Sequence, residues 1–448
     1  MTAQTATGVL FGSGAFFSYI LNKHYLPGVA DTVITPNVML ERLPRDSTRV
    51  EGKAVVFPTH IGRNEGVGAI GEGGQLPDPG SQEYNQFEFY IRHIYGRVKF
   101  DGITLDASKS DVASWLRVID SEMKNLGKDL SRDRQRVVHN DGSGRLCEND
   151  GAIAAAATTF TAKANSDIQG DLTDFSPVRW IRPNMTIAWI EAPTTAPVVQ
   201  HSAKVVSVNR TTNVVTFTPA VPGGVTIADS SWVVRASNTA LTQGANTDLN
   251  STAFAKEPMG VAGIVDDANP PQLALGSATA FQTGFQNVDA TLAVNDWNRA
   301  QMFLNGGTPR AITDNLMDQA WTGAVEIGDV SPSAIYGSFG MVRAYSETTV
   351  TQRRFNDTTV RKGGTSYLDF NDTMIIADRD CYNNRFYFLD ETDLKVYVMS
   401  EPQWMDMDGS VYQRMLDHDA YQASIYCRDT LGSDVRDHHV LLGDLIEA

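Results

Sequence analysis

The sequence predicts an α+β fold, and three stretches carry that prediction. Residues 53–100 read as a Gly-rich β-excursion. Residues 110–138 read as one long amphipathic helix. Residues 181–237 hold short β-branched runs that read as a small all-β module inserted into the rest.

Residues 1–52 come first. They show little period and carry breakers at Pro27, Pro36 and Pro44. They read as an extended N-terminal arm that depends on contacts elsewhere for order.

The excursion occupies 53–103, with arms at 53–61 and 84–100. Phe87, Phe89, Ile91 and Tyr95 fall on one face by the two-residue period of a strand; Glu88 and Arg92 fall on the other. The tip, 62–82, holds seven Gly and two Pro and has no helical period. At about 3.3 Å per residue, the 17 residues of the second arm span roughly 55 Å. A lone two-stranded ribbon is at best marginally stable in water. The hairpin therefore folds back on its own core or lies on a neighbouring subunit, and its length favours the second. Arg63, Arg92 and Arg97, with Glu65, Glu72 and Asp78 at the tip, are candidates for charge pairs to that neighbour, and Phe87 and Phe89 for apolar contact.

The helix falls in a segment spanning 104–168. Ser108 or Ser110 can cap it, with Asp111 at the positive end of its dipole. Val112, Trp115, Leu116, Ile119, Met123, Leu126 and Leu130 form one apolar stripe, which Val137 and Val138 extend towards Gly142. At 1.5 Å per residue the helix is about 42 Å long. Gly127 weakens it by about 1 kcal/mol relative to Ala. It reads as a scaffold element with no chemistry of its own. An Ala/Thr-rich connector follows at 152–162.

The inserted module is placed at 169–250, with about five strands separated by turns at 209–213 and 222–224 and a polar linker from 238 to 252. Residues 251–390 mix helix and strand; Ile312, Leu316, Met317, Ala320 and Trp321 mark one helix face. Residues 391–436 suggest a long-stranded sheet, and 437–448 end the chain in a final strand.

A chain of 448 residues has room for about three domains, and a 42% hydrophobic fraction is that of a core-bearing protein. The net charge of −16 argues against a surface that grips nucleic acid, but not against a wall that faces it. Cys147, Cys381 and Cys427 have no CxxC spacing and read as reduced thiols. No basic residue precedes the mildly apolar stretch 8–21, so no secretory signal is expected. No run of about 18 apolar residues exists to span a membrane.

Motifs for catalysis and cofactors fail on context. Gly66-Val-Gly-Ala-Ile-Gly71 matches GxGxxG, but Glu72-Gly-Gly-Gln-Leu-Pro77 follows where a helix is required. Asp406-Met-Asp-Gly409 resembles part of an EF-hand, but Trp404 and Met415 occupy the first and twelfth positions. The pairs Asp378/Asp380 and Asp417/Asp419 read as solvated turns. The eight His show no HExxH spacing. No cofactor, metal or catalytic residue is expected, and the chain is expected not to be an enzyme.

The order of arm, ribbon, helix, mixed domain and terminal sheet resembles the major capsid proteins of tailed bacteriophages, which share the Hong Kong 97-type fold. The local sequences that carry the resemblance are 131–146, 259–267, 363–378, 404–412 and 419–423. It implies an extended loop at 53–100, a spine helix at 110–138, an axial domain at 258–390 whose last strand lies near 439–445, and a peripheral domain. It also implies hexamers and pentamers of the chain itself, tiling an icosahedral shell around packaged double-stranded DNA. Scaffolding, portal and decoration proteins are possible partners, and no membrane is involved. Such a protein is made in the host bacterial cytoplasm and ends in the virion. Some members link subunits through a loop Lys. This chain has none between Ala54 and Val98, so the hold is expected to be non-covalent. About 50 residues precede the loop, too few for a large cleaved scaffolding region, so a separate scaffolding protein or none is expected. The rival readings are an encapsulin-type nanocompartment, a soluble hydrolase with a β-module, and a decoration or tail component.

Overall fold

The computed structural model describes residues 38–48, 50–102, 112–163, 176–191, 197–241, 246–274, 277, 280–350, 368–406, 411–416 and 418–447. At 51, 112–121, 246–248 and 349–350 it describes the backbone alone. The chain forms two compact units. The described part of one comes from His93–Arg136 and Ser400–Arg428; the other is built from Val38–Arg92, Val137–Met399 and Asp429–Ala448.

In the first unit the amphipathic stripe folds as expected, into a helix over Val112–Val138. The cap residues and the side chains of Trp115, Leu116 and Ile119 lie outside what is described. Gly96 lets the helix approach the sheet: a Cβ there would sit 3.2 Å from Leu126 Cδ1 and 2.9 Å from Ile425 Cγ2. The hydroxyl of Tyr412 donates to Met123 Sδ at 3.0 Å. A five-stranded sheet draws strands from both units and runs in the order Arg45–Asp46, Leu394–Trp404, Ala420–Ser433, Gln413–Arg414. Arg92–Asp101 also pairs with Ala420–Ser433.

In the second unit the ribbon pairs Ala54–Gly62 with Glu83–Tyr90, in the register Val55↔Phe89, Phe57↔Phe87 and Thr59↔Asn85. Val50–Glu51 adds a short third strand. The second arm is therefore not one strand of 17 residues. It breaks at Ile91, and Arg92–Asp101 belongs to a different sheet. The alternation changes phase there. Phe87, Phe89 and Ile91 are buried, then Arg92 is buried as well, and Tyr95 is exposed. Arg92 and Tyr95 thus lie opposite to their expected faces.

The all-β module is a closed six-stranded barrel. Its strands, in order round the barrel, are Val214–Thr218, Thr159–Lys163, Arg145–Asp150, Trp232–Arg235, Thr186–Ile190 and Val199–Asn209. It begins at Arg145, well before the expected start at 169. It also takes in Thr159–Lys163, which the sequence suggested was connector. The reason is physical: closure leaves no edge, so even a polar strand is held by ladders on both sides. Trp189 fills the interior, 4.9 Å from Phe217 and 5.2 Å from Phe160 between ring centroids.

A six-stranded mixed sheet forms the other core. Its order is Gln301–Phe303, Val440–Leu442, Phe386–Leu389, Ala334–Gly337, Thr373–Ala377, Leu368–Phe370. The central strands are buried on both faces and carry Tyr336, Tyr387 and Phe388. The helix Asp314–Ile327 covers one face through Met317, Ala320 and Ala324, and Thr313 Oγ1 caps it by accepting from the Leu316 N–H at 3.3 Å. The final strand is shorter than expected, Val440–Leu442. The supposed N-terminal arm contributes a short helix, Val38–Arg42, whose Met39 is buried in the core with Leu43. Its residues 1–37 lie outside the described set.

Candidate assembly surface

The ribbon divides into an anchored base and an uncovered tip. At the base, Phe57 meets Phe87 and Phe89 edge-to-face at 5.6 and 5.8 Å, and Phe89 lies 4.7 Å from Tyr397. Phe87 also packs on Trp297 at 5.6 Å. The Glu88 N–H donates to the Gln286 carbonyl at 3.0 Å. Gly432 admits these rings, since a Cβ there would lie 2.9 Å from Phe89 and 3.0 Å from Tyr397.

These contacts narrow the set of candidate contact residues. Phe87 is 1% exposed and Phe89 6%, both against their own chain. Arg92 is buried too; its guanidinium donates to the Leu273 carbonyl at 2.5 Å. These three side chains are taken up within the subunit, because the base folds back on its own core. Arg97 is exposed and donates to the Gln422 side chain on the neighbouring strand. Arg63 and Glu65 face each other at 3.8 Å, both largely exposed. Glu72 and Asp78 are both exposed.

The tip carries three exposed apolar side chains. Val67 is 74% exposed, Leu76 79% and Ile70 41%. The signal was present as three apolar residues inside a Gly-rich loop. The loop is nevertheless shaped. Asn64 Oδ1 accepts from the Gly66 N–H at 2.7 Å, and its amide donates to the Gly80 carbonyl at 2.8 Å, drawing the two sides together. The stretch after Gly71 is a turn, closed by the Gly74 N–H on the Gly71 carbonyl at 3.0 Å. No helix opens on Gly66–Gly71, so the geometry of a dinucleotide cradle is missing there.

A buried polar knot follows the long helix. His139, Asn140, Asp141, Ser143, Arg145, Glu148 and Asn149 are all buried. Arg145 pairs with Asp141 at 2.9 Å and Glu148 at 3.7 Å, and its guanidinium lies 3.9 Å above the Trp232 ring. Gly142 and Gly144, at φ 79° and 77°, supply the left-handed turns. The Asp378 pair with His139 Nε2 is 3.3 Å long. Burial pushes the Asp378 carboxyl up, but His139 and the Asp380 N–H outweigh it and hold the carboxyl down at about 2. Asp380 pairs with Arg379 at 2.8 Å. Asp378 and Asp380 are thus buried and partnered, and are not solvated. Of the other aspartate pair, Asp417 lies outside the described residues.

No protein-family model and no curated protein sequence matches the chain. Solved structures do. The chain matches the cyanophage A-1(L) capsid asymmetric unit at TM-score 0.52 and 11% identity, over 96% of this chain and 98% of that one. The chain therefore has a phage-capsid fold, in a mixed α and β architecture. It is also similar to the capsid of a native GTA particle, at TM-score 0.44 and 9% identity, over 98% of this chain and 100% of that one. The holo-SrpI encapsulin complex of Synechococcus elongatus PCC 7942 matches at TM-score 0.42 and 9% identity, over 96% and 95%.

Proposed function

We propose that the chain is a major capsid protein of a tailed bacteriophage, with the Hong Kong 97-type arrangement. In that reading it assembles into hexamers and pentamers that enclose double-stranded DNA. The observation that carries the reading is the end-to-end match to the cyanophage capsid subunit, with almost nothing of either chain left over. The helix Val112–Val138 is then the spine, the ribbon the extended loop, and the six-stranded sheet with its helices the axial domain.

The ribbon supports the reading physically. Its base is rooted in its own subunit, whereas its tip presents Val67, Ile70 and Leu76 to solvent. Fully covering such a side chain contributes roughly 1.5–3 kcal/mol. A neighbouring subunit that covers the tip gains that stabilisation, and Arg63, Glu65, Glu72 and Asp78 form a charged rim that sets its register. Arg97 lies on the other unit's sheet and is assigned a peripheral contact. A standard stable interface buries about 1,600 Å² in total, and a clasped shell subunit exceeds it by engaging several neighbours. The net charge of −16 suits a wall that contains DNA without holding it. With no Lys between Ala54 and Val98, the clasp is non-covalent.

The test is electron microscopy of the purified, expressed protein, followed by analysis of particle contents. Closed shells support the reading. Shells that hold an enzyme cargo in place of DNA, when recovered from infected cells, would turn it towards a nanocompartment.

A further inference from the structure

A group of donors far along the chain from the ribbon has no part in the proposed assembly. Asp390 and Asp393 bound the turn between Phe386–Leu389 and Leu394–Trp404. His438 sits in the turn before Val440–Leu442. One carboxylate oxygen from each Asp and one ring nitrogen of His438 all lie within 4.8 Å of one another. Zinc-type ligands stand about 2.0–2.2 Å from their ion, so these three donors can converge on one centre with small side-chain adjustments.

The charge around this group is unbalanced. His438 Nδ1 is paired with Asp393, and its Nε2 lies 3.9 Å from Asp437 Oδ1. Asp390 is 6% exposed and forms no ion pair among the described residues. Its carboxylate accepts only from the N–H and hydroxyl of Thr392, two residues on. Asp437 Oδ1 is buried and has no hydrogen-bond partner among the described residues. Lys395 is already engaged by Asp434. One imidazole therefore faces three carboxylates, and a buried carboxylate without a counter-charge is costly.

We propose that Asp390, Asp393 and His438 form a binding site for a divalent cation of the zinc class, with Asp437 behind the imidazole as its outer partner. A mixed set of one imidazole and two carboxylates suits zinc better than calcium or magnesium, which favour oxygen alone. The metal would stand between His438 Nδ1 and the Asp393 carboxylate, in place of their direct contact. Its structural effect is to tie the 390–393 turn to the segment that leads into the last strand of the six-stranded sheet.

Titration calorimetry of the full chain with zinc chloride tests this. The expected result is one zinc per chain, bound at least tenfold more weakly by Asp393→Asn and by His438→Gln. A His60→Gln control on the exposed ribbon should bind as the unaltered chain does. If His438→Gln fails to fold, Asp390→Asn and the visible spectrum of the cobalt-loaded unaltered chain carry the test, since nitrogen and oxygen ligation at a low-coordinate site gives strong d–d bands. No bound zinc, or zinc affinity in the Asp393 and Asp390 variants equal to that of the unaltered chain, would overturn the proposal.

Discussion

The Phe89 ring lies 4.7 Å from that of Tyr397, centroid to centroid, and so ties the base of the ribbon to its own subunit. The ribbon therefore has two parts with different effects on stability. Phe89→Ala should destabilise the isolated subunit by about 3–5 kcal/mol, the usual cost of deleting a buried phenylalanine. Leu76→Ser at the tip should leave subunit stability within about 0.5 kcal/mol. Urea unfolding of unassembled protein measures both.

Gly260 and Gly127 should respond to alanine in opposite directions. A Cβ on Gly260 would overlap the carbonyl oxygens of Val137, Val138 and Asn140, where the helix end meets the next segment. Gly260→Ala is expected to abolish soluble expression. Gly127 lies within the helix with open space around it. Gly127→Ala should stabilise by about 0.5–1 kcal/mol, read as a raised denaturation midpoint.

Arg436 is buried and donates to the carbonyls of Ile264 at 2.6 Å, Ala268 at 3.0 Å, Asn298 at 3.1 Å and Gly263 at 3.2 Å. Burial lowers its pKa to about 10, and Asp266 opposes that shift. Arg436→Met keeps much of the volume but leaves four carbonyls without this donor. A loss of about 3–5 kcal/mol is expected, measured by the same unfolding assay.

Asp378 makes the fold sensitive to acid. Its carboxyl is held at about 2, against an ordinary value of 3.8. A depressed carboxylate contributes stability that is fully present above the unfolded value and is lost as the pH falls through the folded one. Between pH 4 and 2 the subunit should therefore lose about 2 kcal/mol from this group. Asp378→Asn should flatten that part of the stability–pH curve. An unchanged curve would show that the His139 pair does not hold the carboxylate.

Period and residue type made some elements legible and left others hidden. The stripe from Val112 to Val138 announced its helix because one face repeats over 27 residues. Phe87 and Phe89 announced the ribbon's second arm because they alternate with Gln86 and Glu88. The break at Ile91 was hidden, since a strand that changes sheet keeps its β-propensity while its buried face inverts. Arg145–Asp150 was hidden because every residue from Arg145 to Asn149 is buried, polar ones included, so no alternation survives. The burial of Phe87, Phe89 and Arg92 inside the subunit could not be read locally: it depends on Tyr397, Trp297 and Leu273, far along the chain. At the tip, Val67 and Leu76 are apolar residues without a local core, set in a Gly-rich segment with no period to mark them.

The central claim is that the tip of the ribbon clasps a neighbouring subunit. Its most direct test is to replace residues 63–82 with a short turn and compare particle formation with subunit stability, by electron microscopy and urea unfolding. The account predicts closed shells from the unaltered chain. It predicts few or none from the shortened one, whose unfolding midpoint stays unchanged. Shells of normal yield and stability from the shortened chain would contradict it.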